Sequence, residues 1–203
     1  MGLLTAIFIT FLFFLPSLLL GKIPFPADAQ TGLYHPFRDA ELDGYKPLTF
    51  PTKNPLITDP ILQTYPWRHL VVTNFKQGQW PLWNPYSFSG QPLLANIQSS
   101  PYLITNLLFF ILPFKIAWAV SVIAPSLLVT FLMYIFLRDL KISKIASVFA
   151  SSSLPFSGFF ISWLSWGSIV TTVMWLPLIL LCINRISQKI SGGWFLILTF
   201  SIS

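Results

Sequence analysis

Thirty-nine consecutive residues, Ile145–Ile183, contain no Asp, Glu, Lys, Arg or His. A bilayer core is about 30 Å thick, so a spanning helix needs roughly 20 apolar residues. The stretch is too long for one helix and suits two, predicted at 145–163 and 168–183. Gly167 supplies the breaker in the turn Leu164–Ser168, and Trp163 and Trp166 suit a membrane interface. Two more uncharged runs have spanning length, Leu3–Leu20 with 18 residues and Ile116–Leu137 with 22. A fifth run, 194–203, stops after 10 residues. A helix ending in mid-bilayer leaves its last carbonyls unsatisfied. The expectation is therefore the N-terminal piece of a longer polytopic protein. Only 9% of the residues are charged and 54% are hydrophobic, against about 25% charged in soluble domains. Mean hydropathy is +0.70. This excludes a soluble domain, a disordered tail and a nucleic-acid-binding module. The single cysteine, Cys182, excludes an intrachain disulfide and a cysteine zinc cluster.

Lys and Arg near span ends set orientation. The loop 138–144 carries Arg138, Lys141 and Lys144 against Asp139, and the loop 184–193 carries Arg185 and Lys189 with no acid. Both read as cytoplasmic, and two crossings separate them, so the assignments agree. Counting backwards places the segment 21–101 outside and Met1 inside, giving a multi-pass protein of the cell membrane. Six cations, Lys22, Arg38, Lys46, Lys53, Arg68 and Lys76, lie in the outer segment, but long loops translocate largely regardless of charge. Ala27-Asp28-Ala29 has the small-x-small form of a signal-peptide cleavage site. The first run lacks a preceding cation and is longer than a signal h-region, so it reads as an uncleaved span. The apolar run 102–114 is too short to span and is predicted as an interfacial helix ended by Pro113.

The outer segment has its own character. It holds five of the six acids (Asp28, Asp39, Glu41, Asp43, Asp59), both histidines and 12 of the 17 prolines. Linkers are rich in Gly and Ser; a segment rich in Pro and aromatics suits an ordered cap. Within it, Trp67, Leu70, Val71 and Phe75 fall at helical spacing, with Gly78 placed to cap the C-terminus. That predicts a short amphipathic helix lying on the membrane or on the protein. Asp28…Tyr34-His35-Pro36-Phe37-Arg38 and Asp59…Tyr65-Pro66-Trp67-Arg68 form a weak repeat. The predicted spans hold no Asp, Glu, Lys, Arg or His, which lowers an ion-coupled transporter reading.

Asp59-x-x-x-Gln63-x-Tyr65-Pro66-Trp67-Arg68, then Gly78-Gln79-Trp80-Pro81-Leu82-Trp83-Asn84-Pro85-Tyr86, Phe88-Ser89-Gly90-Gln91-Pro92 and Gln98-Ser99 together resemble the bacterial YfhO-type membrane proteins. These in turn resemble GT-C glycosyltransferases. The resemblance implies an all-α polytopic fold with a long extracytoplasmic loop between the first and second spans. It also implies transfer of a sugar from a polyprenyl-phosphate donor to an extracytoplasmic cell-envelope acceptor. The implied partners are the lipid-linked donor and membrane lipids. The runner-up is a non-catalytic flippase or scaffold in envelope polymer assembly.

Glycosyl transfer needs an activated acceptor hydroxyl and a stabilised phosphate leaving group. The resemblance gives an outer-loop acid the role of base or metal ligand, at Asp59 or at the earlier Asp28. Asp59 followed by Pro60 also has the form of a helix N-cap with Pro at the first helical position, and Asp28 that of a solvated loop acid. Arg68 and Arg38 suit donor phosphate, whose oxygens a guanidinium matches bidentately; alternatively they are surface arginines at the headgroups. Gln63, Tyr65, Trp83 and Asn84 fall in the resembling motifs and are the candidate substrate contacts. Trp80 and Trp83 suit either interface anchoring or sugar stacking. His35 and His69 show no metal-ligand spacing. The cofactor stays open: a divalent cation is compatible with Asp39, Glu41 and Asp43, as is a solvated acidic face. No Walker loop, dinucleotide glycine motif or zinc motif is present.

Overall fold

The computed structural model describes residues 1–202. It is mostly helical: α1 Gly2–Leu19, α2 Ala27–Leu33, α3 Tyr65–Lys76, β1 Trp83–Asn84, β2 Gln91–Pro92, α4 Leu108–Ile111, α5 Phe114–Asp139, α6 Lys144–Ser153, α7 Gly158–Trp163, α8 Ser168–Val173, α9 Leu176–Gln188 and α10 Gly192–Ile202. Two compact units divide it, Pro24–Trp118 on one hand and Met1–Ile23 with the chain from Ala119 on the other.

The second of these holds most of the apolar length. Among the described residues, four helical segments are long and apolar enough to cross a membrane: Gly2–Leu19, Phe114–Asp139, Lys144–Trp166 and Ser168–Gln188. Along α1 the buried residues are Gly2, Ala6, Thr10 and Phe14, one every fourth residue and so on one face. That face meets α6, whose buried positions include Ser147 and Ser151. Small residues on both sides let helices approach closely where lipid offers no hydrophobic drive to associate. Gly2 marks the limit, since an added Cβ would lie 2.6 Å from the Tyr134 hydroxyl. Thr10 Oγ1 and Thr130 Oγ1 are hydrogen-bonded at 3.0 Å, joining α1 to α5. The opposite side of α1 exposes Leu4, Phe8, Leu12 and Phe13. An apolar surface of that kind is a liability in water and at home in acyl chains.

The third and fourth candidate spans are discontinuous. In Lys144–Trp166, α6 passes into a 3-10 turn at Leu154–Phe156, and Ser157 is extended before α7 resumes. Pro155 cannot donate a backbone bond there, while Ser157 Oγ caps α7 by accepting from the Phe160 amide at 3.5 Å. Gly167, at φ +74°, makes the turn into α8, and α8 is separated from α9 by Met174–Trp175. At the ends of α5 and α9, the Asp139 carboxylate pairs with Arg185 and accepts from Asn184 Nδ2 at 2.8 Å. The predicted range 194–203 is helical as α10 through Ile202; Ser203 lies outside the described residues.

The Pro24–Trp118 unit is built on α3 and an aromatic cluster. Tyr65 lies 5.1 Å from Phe25, 4.9 Å from Phe114 and 5.0 Å from Trp118, between ring centroids. Phe109 adds a contact to Phe114 at 4.6 Å. The C-terminus of α3 is a Schellman motif: Gly78 N–H donates to Phe75 O and Gln79 N–H to Asn74 O, with Gly78 at φ +71°. The apolar run 102–114 departs from the expected single helix. It forms a 3-10 turn at Ile104–Leu107 and the one-turn α4, and Leu112 is extended before Pro113. The cause is Asn106, buried, whose Nδ2 donates to Ser100 O at 2.6 Å and Pro101 O at 3.1 Å, folding the chain back on itself.

Candidate functional site

The site residues read from the sequence are dispersed through the Pro24–Trp118 unit, and Arg68 is the anomaly among them. Its side chain is 0% exposed at the centre of the inward face of α3, between Thr64 and Val71–Val72. Helical spacing had suggested Trp67, Leu70, Val71 and Phe75 as that face; the buried stripe is rotated by about one residue, with the guanidinium in its middle. The reading of Arg68 as a surface arginine at the headgroups is thereby overturned. Arg68 Cζ lies 5.4 Å from the Trp118 ring centroid, a cation–π geometry. Nε and both terminal nitrogens are buried without a hydrogen-bond partner. Burial lowers the Arg68 pKa to about 10, so the group still carries its charge at neutral pH. A desolvated cation with five unmatched N–H donors is costly. The ring face offsets only part of that cost, and the chemistry that would satisfy the fork is a carboxylate or phosphate.

The other candidates differ. Asp59 precedes a π-helical turn, Pro60–Thr64, that leads into α3. It makes none of the expected side-chain cap hydrogen bond, because Asp59 itself already has helical φ and ψ of −56° and −42°. Its half-buried carboxylate has no partner among the described residues. Turns of this π type occur often at functional sites. Gln63 lies on the same turn. Asp28, in the first turn of α2, is engaged: its Oδ2 accepts from the Lys53 amide at 2.7 Å. Gly32 lets the 50–53 segment lie close, since a Cβ there would meet Thr52 Oγ1 at 2.0 Å. Arg38 is partly exposed and 3.8 Å from Asp39, which also pairs with His35. Among the described residues no three His, Cys, Asp or Glu side chains cluster as metal ligands.

Trp83 and Asn84 sit in β1, which pairs antiparallel with β2 in the register Trp83↔Pro92 and Asn84↔Gln91. The Trp83 indole lies on Gly90, where a Cβ would come within 2.5 Å of its nitrogen. Asn84 is 2% exposed and organises the turn: Oδ1 accepts from the Tyr86 amide at 3.0 Å and Nδ2 donates to Ser87 Oγ at 3.1 Å. Tyr65 faces two ways, into the aromatic cluster and onto an open groove of about 560 Å³ along α3. Burial raises its phenol pKa. Asn84 also borders that groove, together with Trp67, His69, Thr73, Tyr86 and Ser87. None of Asp28, Asp59, Arg38 and Arg68 borders it. Sequence reasoning missed Trp118, Tyr86 and Thr73. Trp118 lay hidden inside an apolar run, and only its pairing with Arg68 gives it meaning.

These features define a mostly helical protein with four apolar helices able to cross a membrane, carrying an aromatic-rich unit with a buried, unmatched arginine. Comparison with protein-family models, with curated proteins and with solved structures finds no match.

Proposed function

We propose that this chain belongs to a membrane-embedded glycosyltransferase that takes a sugar from a polyprenyl-phosphate donor and passes it to an extracytoplasmic envelope acceptor. In this reading the protein is multi-pass in the cell membrane, its N-terminus is cytoplasmic and the Pro24–Trp118 unit faces outward. The observation that carries the reading is Arg68: a fully buried guanidinium on an indole face, with every N–H unmatched. Donor phosphate supplies two oxygens that accept from such a fork, and its charge offsets the buried cation. Asp59, with its unpaired carboxylate beside the π-turn, is the base that removes the acceptor proton. Asp28 is the weaker candidate because the Lys53 amide already occupies one oxygen.

One observation favours the non-catalytic alternative, a flippase or scaffold that holds a lipid phosphate without reacting it: the groove along α3 is lined by no acid.

The test is binding of a short-chain prenyl phosphate to the purified full chain. Arg68→Met removes the charge, and binding should weaken by roughly ten- to a hundredfold, the worth of a charge-assisted hydrogen bond of about 1.5–3 kcal/mol. Arg68→Lys keeps the charge without the fork and should fall between. Without ligand, Arg68→Met should raise thermal stability, because a buried cation lacking a partner is replaced by a packed apolar chain. Unchanged binding together with a lowered melting temperature would overturn the phosphate role.

A further inference from the structure

We propose that the groove along α3 is a saccharide subsite that takes a neutral, hydroxyl-rich ring. The proposal deepens the glycosyltransferase reading, and rests on it for the ligand's identity as acceptor. The groove's volume of about 560 Å³ falls within the range of roughly 300–1,000 Å³ usual for ligand pockets. Its lining contains no Asp, Glu, Lys or Arg, so a phosphate or carboxylate would enter without a countercharge. It offers aromatic surface and the aliphatic Leu62, Pro66 and Leu70 beside hydroxyls. Tyr65, Trp67 and Tyr86 line it, and aromatic rings suit the C–H face of a pyranose.

Among the described residues, Thr73 Oγ1, the Tyr86 hydroxyl and the His69 ring nitrogens have no hydrogen-bond partner. Ser87 Oγ accepts from Asn84 Nδ2, which leaves its own O–H to donate. An acyl chain in the groove would cover these polar atoms and leave them unpaired, at a cost in desolvation. A sugar matches them with hydroxyls that both donate and accept.

The groove is also held in shape before any ligand arrives. Tyr86 is 83% exposed, yet its backbone is fixed by the Asn84 bond to its amide. One face of His69 packs on Phe114 at 4.9 Å. Asn84 is thus a positioning residue whose amide presents Tyr86 and Ser87 to the groove. Arg68 and the groove use different sides of α3, which separates a charged phosphate contact from a neutral sugar contact on one helix.

The experiment is calorimetric titration of the full chain, in a detergent without a sugar headgroup, with two neutral trisaccharides, maltotriose and chitotriose. At least one should bind at up to about 10 mM, the weak regime of about 3 kcal/mol that one stacked ring and a few hydrogen bonds support. Tyr86→Ala should weaken that binding roughly tenfold, and Tyr86→Phe, which keeps the ring, by less than about threefold. Thr73→Val should weaken it while leaving the melting temperature unchanged. Failure of both sugars to bind wild type, or indifference to Tyr86→Ala, overturns the saccharide subsite and leaves the phosphate reading of Arg68 standing. Conversely, prenyl-phosphate binding that ignores Arg68 with trisaccharide binding intact removes the donor reading alone.

Discussion

At the scale of single residues, Asp28 and Asp59 separate by their partners. Asp28→Ala removes the acceptor for the Lys53 amide and releases the segment that α2 holds. Trypsin should then cut faster at Lys46 and Lys53, whereas Asp28→Asn keeps an acceptor oxygen and should resist nearly as wild type does. Asp59→Asn touches no hydrogen bond in the protein, so its stability should change by less than about 0.5 kcal/mol. If Asp59 is the base, consumption of lipid-linked sugar should nonetheless fall by about 10²–10⁴ at matched abundance, since an amide takes no proton at neutral pH. Near-normal turnover by Asp59→Asn with an inactive Asp28→Asn would reverse the assignment. The sequence made these acids visible as candidates, but not their state. The same holds for Arg68: hydropathy spacing puts apolar residues inward, and no local pattern places an arginine at the centre of a buried stripe. Its burial depends on Trp118, which a linear reading of the loop cannot bring near.

At the scale of elements, the ends of helices were more legible than the loops between them. The C-terminal cap of α3 follows from Gly78, whose φ of +71° closes the Schellman bonds. Gly78→Ala should cost about 1 kcal/mol, and hydrogen exchange should quicken first at the amides of Gln77 and Gln79. The 102–114 run shows the opposite case. Its composition suits a helix, but Asn106 outcompetes helical pairing by holding two carbonyls from inside the fold. Asn106→Leu leaves Ser100 O and Pro101 O without that donor and should destabilise the Pro24–Trp118 unit by about 1–3 kcal/mol. The weak repeat folded in two ways. Pro66 sits in the first turn of α3, whereas Pro36 follows an extended Tyr34 and leads into a 3-10 turn. The first copy carries one extra residue, His35, between its tyrosine and its proline.

At the scale of the whole molecule, the spans were readable because about 20 apolar residues are required whatever the partners. The breaks at Ser157 and Met174–Trp175 were not, since discontinuity depends on which neighbours resatisfy the backbone. The Asp139 pairing with Arg185 and Asn184 brings the loops 138–144 and 184–193 to one end of their unit. Gly2 lies there too, against Tyr134 and Lys144. Whichever side of the membrane holds one of these points holds all three. In the proposed orientation that side is the cytoplasm. Single cysteines in a Cys182→Ser background would read it directly: an impermeant reagent on intact cells should label a cysteine at Thr52 and spare one at Ser143. The reverse pattern would invert the map.

The same carboxylate constrains how the protein is made. Asp139 precedes Asn184 by 45 residues in the chain, and its side chain is 4% exposed once paired with Arg185. Synthesis runs from the N-terminus, so the tie between the end of α5 and the end of α9 closes only after α9 has been made. A chain that stopped short of Arg185 would keep α5 and lose the partner that buries its terminal carboxylate.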